Sequence, residues 1–329
     1  MRVAVCADME GLTGIGRHEQ CFPAWRDHYR HGVRMLVEDV RAAVEAALEA
    51  GASDALIADW HYLGRNIPSD AFPDLPIRRL WDTGRPLGGA AGLEGVDLAI
   101  FVGVHAGAGN PRGFLSHSFW AGMSLLLNDV PLSEGVFRGL AVGGGGVALG
   151  VLAGDQRAGE EAAGLLPGVR HVAVKAGVSR TSVILRAPDD AREELREAVR
   201  AAVSSPPPPL THPFPTTATI RYGRSRWADQ AEKAAVGDRT GPRDLSARLG
   251  SVHDLIPFLA RGLLATSLGT GPALENRLLP RRQGGAARAW SACLRPVIAP
   301  IERRVVRSIL VREPANKYPP VGVPHPPRG

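Results

Sequence analysis

Cysteine is scarce in this chain: three in 329 residues, at positions 6, 21 and 293. They are too few and too scattered for a disulfide framework. No apolar run approaches the roughly 20 residues that cross a bilayer. The N-terminus offers one Arg and a short apolar run that ends at once in acids, which does not read as a signal peptide. The expectation is a soluble cytoplasmic protein. Aromatics make up only 5% while Gly and Ala are abundant, so its helices should pack closely through small residues. The glycines of the first loop do not match a dinucleotide fingerprint, and no P-loop occurs, so phosphate cradling is not expected. An overall basic character is missing too. Residues 270–329 hold eleven Lys and Arg against three acids, a net +8, and taking this from the total of +6 leaves −2 for the first 269 residues. A nucleic-acid role would rest on the tail alone and is not expected.

What is present starts at the first strand. Residues 2–7 are a β-compatible apolar run that ends in Asp8-Met9-Glu10-Gly11. Alternation along a strand puts positions 8 and 10 on one side, and Gly11 suits a sharp turn behind them. Two neighbouring carboxylates repel, and a fold tolerates them best around a cation. Taken alone, such a pair is more often a solvated strand end. Later strands change the balance: one ends in Asp59-Trp60-His61 and another in Gly103-Val104-His105, followed by Ser116-His117-Ser118 and Ser133-Glu134-Gly135. Ligands of open α/β sheets bind at the carboxyl ends of strands. Asp8, Glu10, His61, His105 and Glu134 therefore make a candidate imidazole and carboxylate site. That ligand set suits zinc, and five ligands suggest two metals sharing a carboxylate.

Apolar periodicity over 24–50 predicts a long helix capped at Gly51, which with its flanking strands gives a β-α-β unit and a parallel sheet. Further strands are expected over 147–153, 171–175, 181–185 and 216–222, with helices over 156–166, 187–203, 225–235 and 252–267. The fold class is α/β, a mostly parallel sheet flanked by helices with a smaller C-terminal α/β portion. The domains read as 1–205, a metal-binding catalytic domain; 206–269, a smaller portion after a Pro-rich linker; and 270–329, a basic extension, partly helical by its apolar spacing over 286–312, where Pro296 and Pro300 would break or kink the helix, and Pro-rich and disordered from 314. Four residues are candidates for orienting ligands or holding substrate: Asp59, Asn66, Asp155 and Lys175. For Asp155 the simpler reading is a helix N-cap, and for Lys175 a solvated strand end. His117 reads equally as a hydrogen-bonded structural histidine or as an acid/base group.

Taken together, Asp8-Met9-Glu10-Gly11, Asp59-Trp60-His61, Gly103-Val104-His105-Ala106, Leu115-Ser116-His117-Ser118, Asn128-Asp129 with Glu134, Ala153-Gly154-Asp155, and Val174-Lys175 with Ser179-Arg180 resemble the zinc-dependent D-aminopeptidase family of the DppA type, over about residues 1–267. The resemblance implies two Zn²⁺ per subunit with Asp8 bridging, Glu10, His61, His105 and Glu134 as the other ligands, and His117 as the catalytic residue. It also implies short peptide substrates with an N-terminal D-amino acid, and a homo-oligomer, a decamer of stacked pentamers. Hydrolysis by a zinc-activated water, with His117 passing the proton to the leaving amine, is the mechanism expected. Trp60 departs from the pattern, which has a small residue such as Ser there, and so do the neighbours of Glu134. These departures leave room for a specialised amidase acting on a pathway intermediate or modified peptide. A third reading is a non-catalytic scaffold working through its basic tail. For that tail, packing on protein is favoured over membrane contact.

Overall fold

A computed structural model describes residues 1–62, 64–80, 92–119 and 122–265. The expected helix over 286–312 and the Pro-rich end lie outside the described residues. In chain order the elements are β1 (Arg2–Ala7), α1 (Arg26–Glu49), β2 (Asp54–Asp59), β3 (Ile77–Leu80), β4 (Leu98–Val104), β5 (Met123–Leu127), β6 (Val130–Leu132), α2 (Glu134–Gly144) and β7 (Ala148–Asp155). They continue with α3 (Gln156–Ala162), β8 (Arg170–Ser179), β9 (Ser182–Leu185), α4 (Pro188–Ser204), β10 (Thr216–Tyr222), α5 (Ser225–Lys233), β11 (Asp238–Gly241), β12 (Asp244–Leu249) and α6 (Leu255–Leu264).

Seven strands form one sheet in the order β3-β2-β1-β4-β7-β8-β9, parallel except for β9. The α/β expectation is borne out. Alternation divides the core between the two faces of this sheet. Val3, Val5 and Ala7 of β1 join Ile57, Ile100 and Val102 beneath α1 and α4, where Leu36, Val40, Leu195 and Val199 are buried. Ala4 and Cys6 face the other way, toward Phe101, the apolar side of α2 and the second sheet. Burial on both faces explains why these strands read as unbroken apolar runs. β1 lies between β2 and β4, so the chain leaves it in opposite directions along the sheet. The carboxyl ends of these three strands open a crevice at that switch point.

A second, antiparallel sheet runs β11-β12-β10-β5-β6. Its strands at 123–132 form a hairpin, and residues 128–131 read in the sequence as a hairpin or turn. Asn128 and Asp129 do form that turn, both with positive φ (46° and 68°), between β5 and β6. Met123–Leu127 is buried throughout, so no alternation marks it as a strand. β10 pairs with β5, so residues from both sides of position 205 build one sheet and one core. The helix expected over 156–166 ends at Ala162.

Two glycines are dictated by close approach. Gly11 donates its N–H to the Gly103 carbonyl at 2.9 Å, and a Cβ there would collide with the Val104 carbonyl. Gly103 has φ +79°, and its Cβ would strike the Asp8 carbonyl. Gly11 lies in the turn expected of it, closed by Leu12 N–H to the Met9 carbonyl at 3.2 Å. It also lets the segment after β1 lie against the end of β4, which brings Asp8 and Glu10 toward His105.

Candidate metal centre

The crevice gathers all five expected ligands. Asp8 follows β1 and donates its N–H to Val102 on β4 at 2.9 Å, so the strand's pairing fixes its position. His61 follows β2 and His105 follows β4. Glu134 opens α2, behind its N-cap Ser133. Asp8 stands between the two imidazoles: Oδ1 is 2.9 Å from His61 Nδ1 and Oδ2 is 3.6 Å from His105 Nε2. Glu10 Oε2 completes the His61 side at 3.1 Å from Nδ1, and Glu134 Oε2 the His105 side at 3.1 Å from Nε2. Ligand atoms of Asp8, Glu10 and His105 lie within 4.8 Å of one another, as do those of His105, His117 and Glu134.

Each histidine is oriented from behind by a backbone carbonyl. His61 Nε2 lies 2.8 Å from the Cys21 carbonyl and His105 Nδ1 lies 3.0 Å from the Ala106 carbonyl. A carbonyl only accepts, so these nitrogens carry protons. The opposite nitrogens, in neutral rings, aim lone pairs at carboxylates. Such an array of acceptors needs either protons on the rings or cations between them. In the protein alone the rings take protons. Burial opposes charge on His61, but Glu10 and Asp8 override it and hold its pKa well above the ordinary value. Burial likewise opposes charge on His105, but Glu134, Asp8 and Glu10 raise its pKa to about 10. Burial pushes the Asp8 carboxyl up, yet the hydrogen bond from His61 and the charge on His105 hold it well below the carboxylate range. Glu134 is also lowered, since His105 and Arg138 outweigh burial. Glu10 Oε2 is buried and has no hydrogen bond of good geometry, although it lies at ion-pair distance from His61. A carboxylate oxygen left in that condition is costly. The donor set therefore fits cations of the zinc type.

His117 stacks flat on His105, with ring centroids 4.2 Å apart and planes 8° from parallel. Its Nδ1 donates to the Leu115 carbonyl at 2.7 Å, which leaves Nε2 for other partners. Burial and the charge on His105 lower its pKa. The other four candidates act one layer out. Asp59 accepts from the N–H groups of His61, Asn66 and Ile67, and so folds the chain after β2. Asn66 ties Asp59 Oδ1 to the His61 carbonyl through its amide, 2.9 and 2.7 Å away, and accepts from Tyr29 Oη at 2.7 Å. Asp155 is the N-cap of α3, and it also accepts from the N–H groups of Phe114 and Gly177 at 2.9 Å.

Lys175 is not a solvated strand end: it is 1% exposed, and its Nζ donates to the Glu10 and Ile15 carbonyls at 2.8 and 2.7 Å. Burial lowers its pKa to about 8, with the charges of Cys21, Asp155, Asp39 and Glu10 opposing. It pins the loop that carries Glu10. Glu161 had not been anticipated. It accepts from Gly107 N–H and the Asn110 amide at 2.8 and 2.6 Å, holding the loop after His105, and burial raises its pKa to about 7.

A family model described as D-aminopeptidase, peptidase M55, matches residues 1–260. The chain belongs to the D-aminopeptidase family. A D-aminopeptidase of Bacillus subtilis (strain 168) is 28% identical over 237 residues, covering 70% of this chain and 85% of the relative. A solved structure, described as the Zn-dependent D-aminopeptidase DppA from Bacillus subtilis, a self-compartmentalizing protease, superposes with a TM-score of 0.72 at 25% identity. That likeness covers 80% of this chain and 98% of the other. The family resemblance read from the motifs is borne out, and the protein is a hydrolase of peptide bonds. Among the described residues, no helix is long and apolar enough to cross a membrane.

Proposed function

We propose that this D-aminopeptidase family member is a zinc-dependent enzyme that removes N-terminal D-amino acids from short peptides. Two Zn²⁺ per subunit would be held by Asp8, Glu10, His61, His105 and Glu134, with Asp8 shared. The observation that carries this is the placement of Asp8 between two imidazoles, each fixed by a carbonyl behind it and aiming its other nitrogen at carboxylates. Zinc in such a site supplies Lewis acidity, polarising a carbonyl and bringing a water's pKa down to about 7.

The chain's own residues do the rest. His117, kept neutral by burial beside charged or ligated His105, is the base that takes the proton and then returns it to the leaving amine. Its Nδ1 bond to Leu115 fixes the tautomer, so proton exchange runs through Nε2. Lys175 and Asp59 hold the loops that carry Glu10 and His61, so the ligands are in place before substrate arrives. The D-preference is inferred from the names of the relatives, and so is a closed homo-oligomer, a decamer in this reading. Residues 1–205 carry the metal ligands, and 206–269 complete the enzyme by adding β10–β12 to the second sheet. The basic extension 270–329 would serve subunit contacts. Two buried free cysteines, Cys6 and Cys21, suit a cytoplasmic location.

Zinc stoichiometry tests the site. Metal analysis of the purified full chain should give two ions, and His61→Ala and His105→Ala should each lose one. A wild-type chain that takes up no zinc would overturn the proposal. Trp60 beside the ligands favours one second reading, a specialised amidase that keeps the metal chemistry and differs in substrate. A panel of D-aminoacyl peptides against modified amides separates the two.

A further inference from the structure

Trp60, the departure from the family pattern, lies behind the ligands. Its indole meets Phe101 edge-on, with centroids 4.9 Å apart, and carries the Arg138 guanidinium 4.6 Å from its ring centre. Arg138 is 4% exposed and places Nη2 3.3 Å from Glu134 Oε1, one helical turn earlier on α2. The other carboxylate oxygen of Glu134, Oε2, faces His105. Trp60, Arg138, Glu134, His105 and Asp8 line one small cavity.

We propose that Trp60 and Arg138 act as one unit that positions Glu134 for the metal on the His105 side. The inference rests on the two-metal reading. A carboxylate can offer one oxygen or two to a cation, and a donor fixed on Oε1 leaves Oε2 alone for the metal. A guanidinium buried this deeply keeps its place only if its faces and its donors are both satisfied. The carboxylate accepts from one donor, Nη2, and the indole covers a face by a cation–π contact, which is strongest where water is excluded. Phe119 also lies 5.9 Å from the guanidinium, but the indole is the nearer ring, at 4.6 Å, and a small residue at position 60 would remove it, so the arginine's placement depends on the tryptophan. Partners behind a metal ligand typically change metal affinity about 10–100-fold when removed.

The test is a zinc titration of the metal-stripped full chain against a chromophoric chelator, for wild type, Trp60→Ala, Trp60→Phe, Arg138→Met and the Trp60→Ala/Arg138→Met double variant, with circular dichroism to verify folding. Trp60→Ala and Arg138→Met should each weaken one of the two zinc sites about 10–100-fold and leave the other unchanged. The double variant should be no weaker than the weaker single one, and Trp60→Phe, which keeps a ring face, should stay near wild type. Should Arg138→Met fail to fold, Trp60→Ala carries the test, because it leaves the Arg138–Glu134 pair in the sequence. Unchanged zinc binding in the single variants, or effects that add in the double variant, would overturn the inference and leave the two-metal reading standing. A wild-type chain without zinc would overturn both.

Discussion

His61 Nδ1 lies 2.9 Å from Asp8 Oδ1, while its Nε2, across the ring, faces the Cys21 carbonyl at 2.8 Å. The second contact fixes what the first can be. With the proton committed to Nε2, Nδ1 meets Asp8 either as part of an imidazolium or as a metal ligand, so protons and metal compete for one position.

That competition sets the first prediction. The raised pKa values of His61 and His105 mean that the metal-free rings are protonated at neutral pH, and zinc must displace those protons. In the metal-free fold the charge on His105 stabilises fully below the unfolded value of 6.5 and is lost as pH rises through about 10, and the raised pKa of His61 acts in the same direction. Zinc should therefore raise the melting temperature of the stripped protein more at pH 8 than at pH 6. Equal shifts at the two pH values, measured by calorimetry at fixed free zinc, would contradict the assignment of both rings as ligands.

His117→Ala should abolish hydrolysis and leave zinc content unchanged, since His117 carries a proton and holds no metal. Its ring atoms also fall within ligand distance of His105 and Glu134. Loss of zinc together with activity would make it a ligand instead.

Lys175→Met removes the donor to two buried carbonyls, those of Glu10 and Ile15. Stranding buried acceptors costs about 1–3 kcal/mol each, so the loss of stability should be about 2–6 kcal/mol in urea unfolding, with weakened zinc binding. A change under about 0.5 kcal/mol, the usual size for a surface substitution, would show that the pin is dispensable.

Glu161 gives a pH signature of its own. Its carboxyl, raised to about 7 by burial against an ordinary 4.5, is favoured in the neutral form by the fold. This contribution is fully present below about 4.5 and is lost as pH rises through about 7. Glu161→Gln removes the titration, so stability should fall less between pH 5 and pH 8 in the variant than in wild type. Parallel pH profiles from urea unfolding would refute this.

How much of this was legible in the sequence follows from what each feature depends on. Asp8, Glu10, His61 and His105 were legible because apolar strands end in polar residues at the switch point of a parallel sheet, a local pattern with one structural outcome. The carbonyls of Cys21 and Ala106 were not, because backbone acceptors leave no mark in residue identity. Lys175 looked like a strand end because its partners, Glu10 and Ile15, lie about 160 positions away in the chain. β5 escaped for a similar reason: its partner β10 comes some 90 residues later, and burial on all sides removed the alternation. Arg138 did leave a signal, a base four residues after Glu134 on one helix face. What it lacked was any sign that Trp60, just past the end of β2, lies on it.

Metal-dependent cleavage after an N-terminal D-residue can be measured by comparing D-alanyl and L-alanyl anilides. Hydrolysis of each would be followed with the purified full chain as isolated, after chelation, and after zinc is restored. The D-substrate should be cleaved, with activity that disappears with the chelator and returns with zinc, and the L-substrate little or not at all. Cleavage that survives complete metal removal, or preference for the L-substrate, would contradict the proposed function.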